Sequence, residues 1–342
     1  MSRPATSLER DGVVSAVYGD LYNVISPDGR AMLDALDTTT ALDVRDGIVL
    51  SAGGARELSL GRLLAESTGR SHDHVEPAGA SFALLQRREE KVAFVVDLEA
   101  LGAIGTWPGL LAPRVGVLTG RGVDGPLRHV LASLTPPRLD LPDRTVIAPW
   151  LPGATTADAA TLEEVRAMTG TTSLLSFASH GRECSINLPD GMICGRSREG
   201  RRPRVVHAAT RMPPCLQGHG CYREDLSPSD LLPARELDAD VVLVTACNAV
   251  ALGGNAEPYE VSLALSLIEG TCRAVIGAVG SHAPHPEAAS IVADELRADR
   301  DLGDATAALN AAGATLVDPF GRVGLLGDPG LRPVARANKR AA

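Results

Sequence analysis

Aromatic side chains make up only 3% of this 342-residue sequence, and the formal net charge is -9. Single strands of nucleic acid are held by basic grooves lined with stacking rings, and duplexes by clustered Lys and Arg. With a pI near 5.4 the chain offers neither, which excludes direct nucleic-acid binding and favours basic partners. Long apolar runs are also missing. No stretch reaches the roughly 18 consecutive apolar residues of a membrane span. Met1 to Val13 lacks the apolar core of a secretory signal. The expectation is a soluble, cytoplasmic chain with no membrane partner. Six cysteines in a chain of this length read as reduced thiols serving as core, metal ligands or nucleophile, not as a disulfide framework. No internal repeat or coiled-coil heptad is present.

What is present is enough apolar residue, 44%, to fill a substantial core. In the N-terminal third, Ser26-Pro27-Asp28-Gly29 is a turn signal and Ala31 to Leu36 suits a short helix. Gly47 to Leu50, Phe82 to Leu85 and Val92 to Val96 suit strands, the last two joined as a hairpin through Arg87 to Lys91. His72 and His74 flank Asp73, a weak metal signal that fits a solvated loop better. This predicts a smaller α+β lobe over residues 1–112. From residue 113 on, short apolar runs alternate with helical patterns, which implies βαβ units and a mostly parallel sheet flanked by helices, an α/β domain over 113–342. Thr161 and Glu164 stand at capping-box spacing, with Thr155 or Thr156 as rival helix starts.

Two apolar runs end in reactive side chains. Ser173 to Ser179 leads into His180-Gly181, and Asp240 to Ala246 into Cys247-Asn248. Uninterrupted apolar runs of this length suit strands covered on both faces, and in open α/β sheets ligands bind beyond the carboxyl ends of the strands. Neighbouring strands would bring an imidazole and a thiol to one rim. There His180 would act as the base for Cys247, and the amides of Gly181 and Cys247 would hold an oxyanion. Taken singly, each residue has a plain structural alternative, a hydrogen-bonded strand-end histidine and a buried inert cysteine.

The wording around both residues resembles a family. Phe177-Ala-Ser-His-Gly181, Leu188-Pro-Asp-Gly191, Ala239 to Asn248, the Glu260 to Gly270 helix with Ala274 to Gly277, and Leu325-Leu-Gly-Asp-Pro329 are similar to the CHAT family of caspase-like, clan CD cysteine peptidases. The resemblance spans about residues 113 to 332. It implies a caspase-hemoglobinase fold and a Cys-His dyad that cleaves a protein substrate through a thioester acyl-enzyme, gated by an activating protein partner, with no cofactor needed for catalysis. The acidic charge and the habits of relatives point to a basic residue before the scissile bond, with Asp190, Asn248, Glu257 and Glu260 as candidate substrate contacts. Where such proteins carry a Trp-containing segment, this chain has Ser281 to Pro286, whose His282 and His285 either line the cleft or lie in a solvated loop.

Residues 182–230 form a Cys-rich insertion of little periodicity, expected to be a long connection without secondary structure. It holds Cys184, Cys194, Cys215 and Cys221, with His207 and His219 nearby, a candidate structural zinc site of loose spacing whose plain alternative is scattered reduced thiols. Cys272 opens a buried strand and belongs to the core. A catalytically silent caspase-like regulatory or binding module, zinc-stapled, is the alternative to the peptidase.

Overall fold

A computed structural model describes residues 18–35, 44–105, 114–135, 145–148, 161–196, 214–217, 221–252, 257–281, 285, 287–315 and 322–332. In the N-terminal half, α1 (Pro27–Asp34) is followed by β1 (Ile48–Ala52), α2 (Ala55–Thr68), β2 (Ser71–Val75), α3 (Pro77–Gln86), β3 (Val92–Val96), α4 (Leu98–Ile104), β4 (Val115–Leu118) and α5 (Gly125–Leu134). The chain continues through β5 (Thr145–Ile147), α6 (Leu162–Met168) and β6 (Leu174–Ala178). Four short strands follow, β7 (Gly181–Arg182), β8 (Ser185–Leu188), β9 (Gly191–Cys194) and β10 (Leu231–Pro233). It closes with β11 (Val241–Thr245), α7 (Leu263–Glu269), β12 (Ala274–Ala278), α8 (Glu287–Arg297), α9 (Leu302–Thr315) and β13 (Val323–Leu326).

Nine of these strands form one sheet in the order β2-β1-β3-β4-β13-β12-β11-β6-β5. Every neighbouring pair is parallel except β12 with β13. That single antiparallel seam divides the sheet into two parallel halves of opposite direction, so their carboxyl ends open on opposite rims. The 112/113 boundary falls between β3 and β4, which are hydrogen-bonded neighbours. The N-terminal strands therefore extend the sheet and do not close a lobe of their own.

Strict alternation along each strand sends side chains to two apolar layers. On one face Leu50, Phe94, Val117, Phe177, Val244 and Val275 pack against α3, α4, α6 and α7. On the other, Val49, Val95 and Leu118 pack against α2 and α5, while Leu243, Ile276 and Leu325 pack against α8 and α9. Burial on both faces explains the uninterrupted apolar runs.

Three local readings change. Phe82 to Leu85 lies in helix α3: Pro77 opens that helix, Ala80, Ala83 and Leu84 face inward, and Phe82 stands 66% exposed. A four-residue apolar run carries too little period to separate helix from strand. No hairpin forms, because β3 pairs parallel with β1. Ser26 caps α1, its hydroxyl accepting from the Gly29 N–H at 3.1 Å, with Pro27 at the first helical position, so the turn signal is a helix start. The described part of the insertion is not structureless, since β7 to β9 pair with one another and with β10, just beyond it, in a second sheet that packs on the main one. The Thr161–Glu164 capping box forms as expected; Thr155 and Thr156 lie outside the described residues.

The C-terminal strand is anchored by a buried ion cluster. Asp328 is fully buried and takes Arg45 at 2.7 Å and Arg70 at 2.6 and 2.8 Å. Burial alone would raise the Asp328 pKa, but the two guanidinium groups outweigh it and hold the carboxyl well below the usual range. Asp328→Ala leaves two buried cations without their carboxylate, and urea unfolding is expected to show a loss of about 3–5 kcal/mol. Because the pKa is depressed in the folded state, this stability is present above the unfolded carboxylate value and is lost as pH falls below about 4. Acid titration of the unfolding midpoint should therefore flatten in Asp328→Asn.

Candidate active site

Strand β6 pairs with β11 so that Leu174 faces Val241 and Ala178 faces Thr245. Two residues beyond that last pair stand His180 after one strand and Cys247 after the other, at the same rim. Both reach solvent, His180 exposed and Cys247 half-buried, whereas Ser179 and Ala246 behind them are fully buried.

Gly181 holds the two strand ends together. A Cβ placed on it would lie 2.5 Å from the Ser185 carbonyl oxygen and 3.0 Å from the Ala246 methyl. Backbone after the imidazole thus packs directly on the residue before the thiol, an approach only glycine permits. The turn out of β6 is fixed by the Ser179 hydroxyl donating to the Asn187 carbonyl at 2.6 Å and by the Asn187 N–H donating to the His180 carbonyl at 2.9 Å.

After Cys247 the chain reverses through Asn248, which has φ of 56°, a left-handed conformation that Asn tolerates better than other side chains. The Asn248 N–H donates to the Gly280 carbonyl at 2.9 Å, which ties the turn after Cys247 to the end of β12 and leaves that amide already bonded. His285 lies at the same rim, its N–H donating to the Thr245 hydroxyl at 3.3 Å. His282 lies outside the described residues.

The other candidate contacts are placed elsewhere in the framework. Both Asp190 oxygens accept from the Leu162 N–H, at 2.8 and 3.1 Å, at the start of α6. The Glu257 N–H donates to the Glu183 carboxylate at 2.8 Å. Glu260 acts on the Arg121 guanidinium, which bonds the carbonyls of Tyr259, Gly195 and Ser262 and the Glu269 carboxylate. Nothing in the sequence singled out Arg121, yet it joins the end of β4 to β9 and α7.

Among the described residues, no group of three or more His, Cys, Asp or Glu converges to hold a metal ion. Cys184 and Cys215 share a small apolar cluster with Leu216 and Val261, Cys221 Sγ stands 3.9 Å from Met192 Sδ, and Cys194 is paired with Ser185 on β8. Burial pushes the Cys184 thiol up to about 12 and raises Cys194 and Cys215, and each of the three also feels another thiol of the group. His207 and His219 lie outside the described residues. Cys272 is fully buried as expected.

His72 and His74 lie on edge strand β2, not in a loop, and their Nε2 and Nδ1 sit 2.9 and 2.8 Å from the buried Ser51 hydroxyl. Asp73 pairs with Arg87. Burial, with His74 beside it, lowers His72 to about 4, so it stays neutral near pH 7.

Two substitutions test this geometry. Gly181→Ala is expected to cost about 1–3 kcal/mol on thermal unfolding, because its methyl must displace Ala246 or the Ser185 carbonyl. Asn248→Val is expected to cost roughly 1–2 kcal/mol and Asn248→Gly close to none, a difference that a residue held in ordinary backbone would not give.

No protein-family model matches the sequence, and no curated protein matches it. Among solved structures, the Arg-specific cysteine proteinase gingipain R is similar, with a TM-score of 0.55 and 11% identity over 87% of this chain and 79% of the gingipain chain. The main sheet and its flanking helices have the caspase-like α/β fold of that cysteine proteinase.

Proposed function

We propose that the chain is a cysteine endopeptidase of the caspase-like, CHAT type, with Cys247 as nucleophile and His180 as its base. The observation that carries this reading is the β6–β11 register, which sets an accessible imidazole and an accessible thiol on adjacent strand ends. In the reaction Cys247 Sγ attacks the carbonyl carbon of a substrate peptide bond while His180 takes the thiol proton. The oxyanion is held by the Gly181 and Cys247 amides. The imidazolium returns its proton to the departing amine, leaving a thioester that water hydrolyses, with the thiol released and re-protonated. A protein substrate and an activating protein partner belong to this reading. The described Cys-rich segments would transmit activation, since β7 to β9 grow directly from the His180 turn.

Cleavage of a proteome-derived peptide library, in the presence of candidate activators, tests the assignment. Cys247→Ala is expected to abolish cleavage and His180→Ala to lower kcat by about 10²–10⁴-fold, with both variants folded. Cleavage that persists in Cys247→Ala would remove the thiol from the mechanism.

A further inference from the structure

The hairpin that follows His180 carries a second charged side chain on the same face. The Asn187 N–H donates to the His180 carbonyl, Gly181 pairs with Ile186, and Arg182 pairs with Ser185. Alternation along these strands places His180, Arg182, Ser185 and Asn187 on one face, with Gly181 turned the other way onto Ala246. Tyr222, from the insertion, lies across that face. Its hydroxyl is 3.0 Å from Ser185 Oγ and donates to Asn187 Oδ1 at 3.1 Å, and the Arg182 guanidinium carbon sits 4.0 Å above its ring.

Three of the four side chains on this face are thus organised by one tyrosine, and the fourth is the dyad imidazole. A cation over an aromatic face is attracted by the ring and restricted in its motion, while the N–H edge of the guanidinium stays available for a bidentate carboxylate. Arg182 is exposed, and among the described residues no carboxylate pairs with it. The chain's overall charge of -9 would repel an acidic peptide at long range, but screening over about 8 Å at physiological salt leaves the local cation in control at contact.

We propose that Arg182, held over the Tyr222 ring beside His180, is a specificity-determining residue that takes an Asp or Glu carboxylate of the substrate close to the scissile peptide bond. This rests on the peptidase reading and assigns it a substrate class opposite to the basic residue that the net charge suggests. It also gives the insertion a direct part in recognition, because Tyr222 belongs to it.

Binding and cleavage together test the proposal. Octapeptides with a central Asp or Glu, and matched Asn, Gln and Lys versions, are titrated by fluorescence anisotropy into the full-length Cys247→Ala chain. Acidic peptides are expected to bind at least ten-fold more tightly than neutral ones. Adding Arg182→Gln should remove that preference and Arg182→Glu should reverse it toward Lys, with thermal unfolding showing each variant folded. Tyr222→Leu, which keeps bulk but loses the ring, should weaken the acidic preference several-fold. Equal binding of acidic and neutral peptides, no binding of any, or a preference unchanged by Arg182→Glu overturns the proposal. In the wild type, Cys247-dependent cleavage at sites without nearby Asp or Glu would overturn the role of Arg182 and leave the peptidase standing. Acid-selective binding without any Cys247-dependent cleavage would remove the peptidase and keep Arg182 as a carboxylate site.

Discussion

The pairing of β6 with β11 is the constraint on which the candidate site depends. A parallel ladder fixes not only which strands are neighbours but which residue faces which, and slipping it by one would turn every side chain to the other face. Here slippage would drive Val242 and Val244 out of the layer that packs against α6 and α7 and into the one filled by α8 and α9. Two apolar layers therefore hold the register, and the register sets His180 level with Cys247. Gly181 and Asn248 then complete the arrangement with backbone alone, one by close approach to Ala246 and the other by a left-handed turn.

The reversal of strand direction at β12–β13 has its own cost in organisation. A sheet made of two opposed parallel halves has little to keep the halves from shearing except what bridges the seam. The C-terminal Leu325-Leu-Gly-Asp-Pro329 supplies this bridge. Its leucines pair with β12 on one side and β4 on the other, and Asp328 draws in Arg45 and Arg70 from either side of β1 and α2. Gly327, with φ of 145°, lets that carboxylate turn inward, since a Cβ there would meet the Ala274 methyl at 2.6 Å. A buried cluster of this kind is weak evidence of net stabilisation, but it is intolerant of losing one member.

Much of this was legible in the sequence where the physics is local and strongly periodic. The strands that carry His180 and Cys247 stood out because burial on both faces writes a continuous apolar run, and the capping box at Thr161 because its two side chains are three residues apart. The failures share a cause, in that short segments take their structure from partners distant in sequence. Phe82 to Leu85 turned into helix because Pro77 and the packing of Ala80 and Leu84 decided it. The strands β7 to β10, two to four residues each, carry almost no pattern of their own and form because the main sheet offers Ile186, Leu188 and Ile193 a surface to cover. Likewise the pairing of Ser51 with His72 and His74 needs the β1–β2 register, which spacing alone does not reveal.

That difference between local and distant causes bears on chemistry as well. The placing of His180 level with Cys247 is set by main-sheet register and is present whenever the fold is present, whereas the groups around it depend on the second sheet. Asn187 holds the His180 carbonyl and the Ser179 hydroxyl from β8, and Tyr222 reaches Asn187 and Ser185 from far along the insertion. The imidazole's backbone is thus restrained by a small sheet that buries Ile186, Leu188 and Ile193 against the main one, while Tyr222 and Cys221 meet Ser185 and Met192 on its other face. A displacement of the second sheet would therefore act first on the histidine side of the site, through Asn187, while the cysteine side is tied to the end of β12 through Asn248 and Gly280.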